Sequence, residues 1–441
     1  MARLFGTDGV RGVAGTELTR DMAVALGRAA VRKLGKRVLI GRDSRVSGPM
    51  LEDALVAGIA AEGGQAVVTG IIPTPAVALL TRESDVDCGI VISASHNPPE
   101  YNGIKFFDGQ GYKLPDEVED QMQAIVEETL GQPVPDPDPA EVMEDATERY
   151  VAHAVQTLES RGISLSGLRI ALDCAHGASC KTTPAALKQL GAEVIAINDD
   201  PDGAKINVGC GSTHLEQVIE LLEQTGADLA LAHDGDADRL LAVAPNGTVV
   251  DGDYILAICA RDLKERGLLA HNLVVGTVMA NLGFQLAMKR EGIKVLTTKV
   301  GDRYVLEQMR ERGGVIGGEQ SGHIIFLNHN STGDGLVTAL QLLGVIASSG
   351  KPIEELMQVM EKFPQALINV RVTNKSLYAA NASIAKAQDE AVRELGDDGR
   401  LLVRPSGTEP LIRVMVESRS QEHAEEVAKR VAAVVQSEIG A

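Results

Sequence analysis

The chain contains no tryptophan, and aromatic residues make up only 3% of its 441 positions. So few rings suit an aromatic-packed β-sandwich poorly. A 44% hydrophobic content punctuated by 46 glycines fits alternating strands and helices built from Val, Ile, Leu and Ala. Cysteine is scarce as well. Cys88, Cys174, Cys180, Cys210 and Cys259 are odd in number and never spaced Cys-x-x-Cys, which argues against a zinc ribbon and against a disulfide framework. No apolar run approaches the ~20 residues that cross a bilayer. The longest, residues 336–347, is interrupted by Thr338 and Gln341 and reads as a core helix. Met-Ala-Arg-Leu-Phe-Gly at the start lacks an apolar segment of signal-peptide length, so a cytoplasmic location is expected and the sequons at Asn246, Asn330 and Asn381 are chance matches. Basic residues are outnumbered 42 to 61, giving a net charge of −19. Such a surface is repelled by phosphate backbones and anionic lipid, so neither nucleic acid nor membrane is expected as a partner. Any anionic ligand must be held by a local cluster of Arg and Lys.

What the chain does have is a recurring pattern. Short β-branched runs end in Gly or Asp and are followed by helical periodicity, at residues 38–40, 66–72 and 88–93, then 168–172, 193–197 and 229–232, then 273–278, 294–297 and 315–316. Three such sets about 110 residues apart predict three related α/β domains of buried, mainly parallel strands. The stretch Gly131-Gln-Pro-Val-Pro-Asp-Pro-Asp-Pro139 cannot sustain helix or sheet and reads as a connector. After Phe363-Pro364 the pattern changes to strands at 367–372 and 411–416 and an amphipathic helix at 421–439. The expected fold class is therefore α/β, with three related α/β domains of mixed, mainly parallel sheets (residues 1–150, 151–251 and 252–364) and a smaller C-terminal α+β domain (365–441).

Open α/β sheets bind ligands at the carboxyl ends of their strands. His233-Asp-Gly-Asp-Ala-Asp-Arg239 follows one such strand, and on extended backbone Asp234, Asp236 and Asp238 would face one way at ~7 Å spacing. Without a cation each neighbouring pair repels by roughly 2 kcal/mol at an effective dielectric of about 20. Oxygen-only ligands favour Mg²⁺ or Ca²⁺ over zinc, and an EF-hand is excluded by Arg239 and Pro245 where it needs Gly and Glu. The alternative is a solvated turn of helix-capping aspartates. Ile92-Ser-Ala-Ser-His-Asn-Pro-Pro99 places Ser95 beside His96, but neighbouring side chains on extended backbone point apart, which makes His96 a poor base for that serine. Lys105 would be a base if desolvated, or a plain surface lysine. Gly317-Gly-Glu-Gln-Ser-Gly-His323 presents Glu319, Ser321 and His323 alternately, which suits the hydroxyls of a sugar or equally a Gly-rich bend. Arg404-Pro-Ser-Gly-Thr-Glu-Pro-Leu-Ile-Arg413 flanks a turn of hydroxyls and N–H groups with two guanidinium groups, a nest for a phosphate monoester. One ligand joins these four segments: a phosphorylated sugar.

On Gly6-Thr-Asp-Gly-Val-Arg-Gly12, Ser93-Ala-Ser-His-Asn-Pro98, Asp234-Gly-Asp-Ala-Asp-Arg239, Gly318-Glu-Gln-Ser-Gly-His323 and Arg404-Pro-Ser-Gly-Thr-Glu409, the chain resembles the α-D-phosphohexomutase superfamily over essentially its whole length. Its early first motif, and Gln320 where the phosphomannomutase/phosphoglucomutase branch has Met, resemble the bacterial glucosamine-phosphate branch. The resemblance implies four domains around a central active-site cleft and a phosphoserine at Ser95. It implies one Mg²⁺ per chain, held by Asp234, Asp236, Asp238 and a phosphate oxygen on Ser95. Lys105 falls at the general-base position, with Arg11 and Arg239 near the transferred phosphoryl group. Glu319 and Ser321 would bind sugar hydroxyls with His323 near the reacting end, while Arg404, Ser406, Gly407, Thr408 and Arg413 clamp the non-reacting phosphate. The implied reaction, an isomerisation, interconverts glucosamine 6-phosphate and glucosamine 1-phosphate through a 1,6-bisphosphate that is both intermediate and activator, supplying UDP-N-acetylglucosamine for peptidoglycan precursors. The expected partner is the small amino-sugar phosphate, and a helix-rich first domain is compatible with a homodimer. Mannose or glucose phosphate would be the alternative substrates. A metal-dependent sugar phosphatase would instead release inorganic phosphate, and a non-catalytic sensor would have no use for Ser95 or the aspartates.

Overall fold

The computed structural model describes residues 3–6, 8–134, 137, 139–406 and 409–441. The chain forms two compact units, Met1–Met279 with Gly292–Val359, and Ala280–Glu291 with Met360–Ala441.

Three sheets follow one another along the first unit. The first contains β1 (Val10–Val13), β2 (Arg37–Arg42), β3 (Gln65–Ile71), β4 (Cys88–Ile92), β5 (Tyr101–Asp108) and β6 (Glu141–Val142), in the order β1-β5-β4-β2-β3-β6. Strands β2, β3, β4 and β6 are parallel, and β5 runs antiparallel to both β4 and β1. The second contains β7 (Arg169–Asp173), β8 (Glu193–Ile197), β9 (Leu229–His233), β10 (Leu240–Val243) and β11 (Val249–Val250), in the order β11-β10-β9-β7-β8. The third contains β12 (Leu273–Thr277), β13 (Lys294–Thr298), β14 (Ile316–Gly318) and β15 (Ile324–Phe326), in the order β13-β12-β14-β15.

One plan is repeated three times. A parallel strand ends in a polar loop, and the chain returns antiparallel beside it, as β4 to β5, β9 to β10 and β14 to β15. The sequence pattern predicted the parallel strands and missed these returns. A hairpin needs no crossover helix, and in β5 the apolar run is broken by Asn102, Gly103 and Lys105, with Asn102 and Lys105 buried against polar partners.

Helices cover the sheets with small residues where they meet. Helix Arg20–Lys33, capped by Thr19, lies so close to helix Gly48–Ala61 that a Cβ on Gly58 would sit 2.1 Å from the Val24 carbonyl oxygen. Helix Gly335–Ser349 is apolar almost all round because it is buried almost throughout. Asp334 caps it, accepting from Val337 N and Tyr150 Oη, and Gly350 ends it in a left-handed conformation. Among the described residues no single helix is long and apolar enough to cross a membrane.

The second unit is an antiparallel sheet of β16 (Gln365–Arg371), β17 (Gly399–Pro405) and β18 (Leu411–Ser418), in the order β16-β18-β17. Helices Ala382–Leu395 and Gln421–Ile439 supply its core with Ile384, Ala391, Val427, Val431 and Val435. Helix Leu282–Arg290 also belongs to it, although it lies between β12 and β13 in sequence. Buried Glu417 holds this helix by accepting from Asn281 Nδ2 and Leu282 N, each at 3.0 Å. Strand β17 had no counterpart in the sequence reading.

Candidate active site

The three returns bring three loops of the first unit together. Arg239 bridges His323 in antiparallel fashion, Leu240 N donates to Gly322 O at 3.1 Å, and Gly252 N donates to Gln320 O at 3.0 Å. Ser95 Oγ donates to Asp234 Oδ2 at 2.7 Å, joining the serine loop to the aspartate loop. Ser95 is left-handed at φ 53°, so its neighbour does not point away as extended backbone would require: Ser95 Oγ lies 3.3 Å from His96 Nδ1. Burial, and then the charges of Arg239 and Arg11, push the His96 imidazole down to about 4, so it is neutral at physiological pH.

Asp234, Asp236 and Asp238 do not lie along an extended segment. Their loop turns, with Ala237 left-handed at φ 55°, and brings one carboxylate oxygen from each to within 4.8 Å of the others. All three are buried. Asp236 Oδ2 accepts from Thr74 Oγ1 at 2.6 Å and Lys105 Nζ at 2.9 Å. Asp236 Oδ1 and Asp238 Oδ1 are buried and accept no hydrogen bond from any described residue. Burial raises Asp236, but Lys105 and the Thr74 hydroxyl outweigh it and hold the carboxyl below its ordinary range. For Asp238 the balance is reversed: burial, then the charges of Asp236 and Asp234, outweigh the more distant His323 and Lys105 and push it up to about 7. An acceptor-only oxygen set with open, inward lone pairs fits a hard divalent cation.

A second charge network leads away from this cluster. Lys105 is buried, which works against its charge, yet Asp236, Asp8 and Asp238 together raise its pKa above the ordinary lysine value. It therefore holds its proton at neutral pH. Asp8, 3.0 Å from Lys105 Nζ, also pairs with Arg11 and Lys113. Lys113 in turn pairs with Asp302, whose Oδ2 is 3.5 Å from His323 Nε2. Neither ring nitrogen of His323 makes a hydrogen bond with a described residue. These groups border a cleft of about 460 Å³ lined by Asp8, Arg11, His96, Asp238, Arg239, Asp302, Glu319 and His323 among others. A larger cavity of about 770 Å³ opens at the amino ends of β7 and β9 and is lined by none of them.

Of the predicted residues in the first unit, Arg11, Arg239, Glu319 and His323 line the cleft, and Lys105 borders it through Asp8 and Asp238. Ser321 is exposed on the same turn as Glu319 and does not line the cleft, while Glu319 Oε1 accepts from Gly301 N at 3.0 Å. Sequence reasoning missed Thr74, Asp8, Lys113 and Asp302. Asp8 lies inside the motif that runs from Gly6 to Gly12. Thr74 and Asp302 begin helices, and only the fold brings them to the cluster and the cleft.

In the second unit, Arg404 and Arg413 stand directly opposite each other on β17 and β18. Like charges in that register are destabilising. Burial, and then the neighbouring Arg413, lower the pKa of Arg404. Ser406 is buried, its Oγ accepts from Glu409 N at 3.3 Å, and its carbonyl accepts from Lys375 Nζ at 2.7 Å. Gly407 and Thr408 lie outside the described residues.

Sequence models of the phosphoglucomutase/phosphomannomutase family match residues 2–132 (alpha/beta/alpha domain I), 148–247 (domain II), 251–363 (domain III) and 367–434 (C-terminal domain). The chain is 51% identical to a phosphoglucosamine mutase of Clostridium novyi (strain NT) over 453 aligned positions, covering 100% of both chains. It is 50% identical to that of Thermoanaerobacter sp. (strain X514), again over 100% of both. Among solved structures, a phosphoglucomutase/phosphomannomutase family protein of Burkholderia thailandensis is 27% identical with a TM-score of 0.83, covering 99% of this chain and 97% of that one. The Aspergillus fumigatus N-acetylphosphoglucosamine mutase in complex with GlcNAc-6P and magnesium shares the fold at 19% identity and a TM-score of 0.69, covering 98% and 95%. Matched along nearly its whole length by the four domain models, and half identical to full-length relatives, the chain belongs to the phosphoglucomutase/phosphomannomutase family, in its phosphoglucosamine mutase branch.

Proposed function

We propose that this chain interconverts glucosamine 6-phosphate and glucosamine 1-phosphate by way of a phosphate carried on Ser95 and a 1,6-bisphosphate intermediate. The observation that carries the reading is the junction of a buried serine hydroxyl with a cluster of three buried carboxylates, two of which keep open oxygens. Asp234, Asp236 and Asp238, with an oxygen of phosphorylated Ser95, would hold Mg²⁺, which when bound draws negative charge from the transferring phosphoryl group.

In the forward direction the bond from phosphorus to Ser95 Oγ breaks as a bond forms to the sugar O1. The proton of that hydroxyl passes to His323, whose ring nitrogens are open to it. Lys105 Nζ, 2.9 Å from Asp236 and 3.0 Å from Asp8, places a positive charge beside the transferring group. Arg11 and Arg239, both on the cleft, neutralise the equatorial oxygens. Glu319, on the cleft, reads the sugar hydroxyls. Arg404, Ser406, Gly407, Thr408 and Arg413 bind the phosphate that is not reacting. After the bisphosphate turns round, the bond from phosphorus to O6 breaks as one forms to Ser95 Oγ, and O6 takes up the proton that His323 received in the first transfer. Two transfers between matched phosphate esters thus make one isomerisation.

The test is phosphorus NMR of the protein with Mg²⁺, glucosamine 6-phosphate and a trace of sugar bisphosphate. An anomeric phosphate signal should grow at constant total ester and be absent with Ser95→Ala. Free inorganic phosphate instead would make the protein a phosphatase. Turnover confined to mannose or glucose phosphate would keep the mechanism and overturn the substrate.

A further inference from the structure

Two polar side chains outside the sequence motifs close on the backbone of the serine loop. Arg45 follows β2, and its side chain is 0% exposed. Its Nη2 donates to the carbonyls of Ser95 at 3.0 Å and Asn97 at 2.7 Å, and its Nη1 to those of Pro98 and, at 2.8 Å, Tyr101. Its Nε pairs with Asp43 Oδ2 at 2.9 Å. That carboxylate also accepts from Ser93 Oγ at 2.6 Å, and Ser93 Oγ accepts from Ser95 N at 2.9 Å. From the long segment after β8, Asn207 Nδ2 donates to the same two carbonyls, Ser95 at 2.9 Å and Asn97 at 3.1 Å.

The Ser95 carbonyl therefore receives two donors and its N–H has a fixed acceptor, on a residue held left-handed at φ 53°. For a non-glycine residue that conformation is unfavourable, and glycine, which adopts it freely, has no hydroxyl to carry phosphate. The aspartate loop rests on the same junction, since a Cβ on Gly235 would lie 2.8 Å from both Asn207 Nδ2 and Ser95 O.

We propose that Arg45 and Asn207 are positioning residues for phosphoryl transfer: by gripping the Ser95 and Asn97 carbonyls they hold Ser95 in the one backbone conformation that aims its Oγ at the aspartate cluster. This rests on the phosphoserine reading above. Neither residue touches a reacting atom, so the effect is on the alignment of the transferring group, where a misplacement of about 1 Å costs about 10²-fold.

The experiment is single turnover by quench flow. Native protein, Asn207→Ala and Arg45→Lys are each loaded from glucose 1,6-bisphosphate, the Ser95 phosphate is counted by intact mass, and the protein is mixed with glucosamine 6-phosphate. The rate constant for loss of phosphate from the protein is expected to fall at least about tenfold in both variants, with the dependence on sugar concentration little changed. A purely structural role would lower the amplitude, through fewer folded molecules, and leave the rate constant native. A native rate constant in Asn207→Ala overturns the proposal even if Arg45→Lys does not fold. A folded variant that fails to load supports it, because loading is the same transfer run backwards. If the native protein loads but passes no phosphate to any sugar, the mutase reading falls and takes the proposal with it, an outcome distinct from a native rate in the variant.

Discussion

Asp173 ends β7 in register with Ala232 of the neighbouring β9, and the aspartate loop begins two residues beyond that partner. Carboxylates at nearly the same place in one sheet are thus equally buried, yet they are treated in opposite ways. Asp173 Oδ1 accepts from Ala175 N at 2.8 Å and Asn198 Nδ2 at 3.1 Å, and its Oδ2 from Gly211 N at 2.7 Å. Asp236 and Asp238 each keep a buried oxygen that accepts nothing from a described residue. Burial raises the pKa of Asp173 and of Asp238 alike. Burial and pKa therefore do not separate a structural carboxylate from a functional one, whereas the use of each lone pair does. Asp173 turns its charge on the backbone and fixes the loops that surround the site. The cluster leaves its charge open for a ligand.

Substitution should split the two roles most sharply. Asp238→Asn is expected to lower kcat by about 10²–10³, the effect of removing one preorganised group that stabilises developing charge. The metal-free variant should melt at or above the native temperature, because a repelling charge is gone. Asp173→Asn should do the reverse, costing about 2–3 kcal/mol for a buried charged hydrogen bond while activity per folded molecule is kept. Mutase rates normalised to the folded fraction, beside thermal melts, check both. A stable but inactive Asp173→Asn would erase the distinction. Metal linkage sharpens it next. Mg²⁺ at a hundred times its Kd should stabilise the native protein by about 2.7 kcal/mol. Asp173→Asn should keep that shift and Asp238→Asn should lose it, as read by melting with and without chelator.

The pH dependence has a definite sign. A carboxyl raised to about 7 in the fold binds a proton that the unfolded chain does not. In the metal-free protein, Asp238 therefore contributes stability at low pH that is lost as pH rises through about 7. Metal binding needs the deprotonated form, so Mg²⁺ affinity should run the other way and fall by about tenfold for each unit below that pKa. Calorimetric titration of Mg²⁺ between pH 6 and 8 would show it, and an affinity flat across that window would mean Asp238 is already ionised.

The parallel strands were legible because each is a short β-branched run ending in Gly or Asp; the prediction of residues 193–197 coincides with β8. The C-terminal helix over 421–439 was equally plain from its amphipathic period. The antiparallel returns were not, since β10 and β15 are four and three residues long and β5 buries Asn102 and Lys105 where the pattern expects apolar side chains. In the site, Ser95 and the three aspartates could be read because a local motif concentrates them. Thr74, Asp302 and Asn207 are single residues whose meaning depends on contacts 162, 189 and 112 positions away. The loop geometry was also hidden. An extended reading of 234–238 spaced the carboxylates too widely because nothing in an alanine announces the left-handed turn at Ala237.

The finest contrast compares the single donors that serve the two kinds of carboxylate. Thr74 Oγ1 donates to Asp236 Oδ2 at 2.6 Å, and Asn198 Nδ2 donates to Asp173 Oδ1 at 3.1 Å. Thr74→Val keeps the shape of the side chain and removes its bond. Because Lys105 still serves the same oxygen, stability should fall by only about 1 kcal/mol. The carboxylate orientation loosens, however, and a partner behind a metal ligand is worth about 10–100-fold in affinity or activity. Asn198→Ala removes that bond and an exposed one to Gln217 Oε1, and also places alanine at φ 49°, so its cost should be about 2 kcal/mol. Its kcat and its Mg²⁺ response should stay native, because Ala175 and Gly211 still hold Asp173. If the pair behaves this way, a small loss of stability with a clear loss of activity at Thr74 stands against a larger loss of stability with none at Asn198. Equal effects on activity would mean that the two ends of β7 and β9 form one electrostatic unit and that the open lone pairs are not what marks the site.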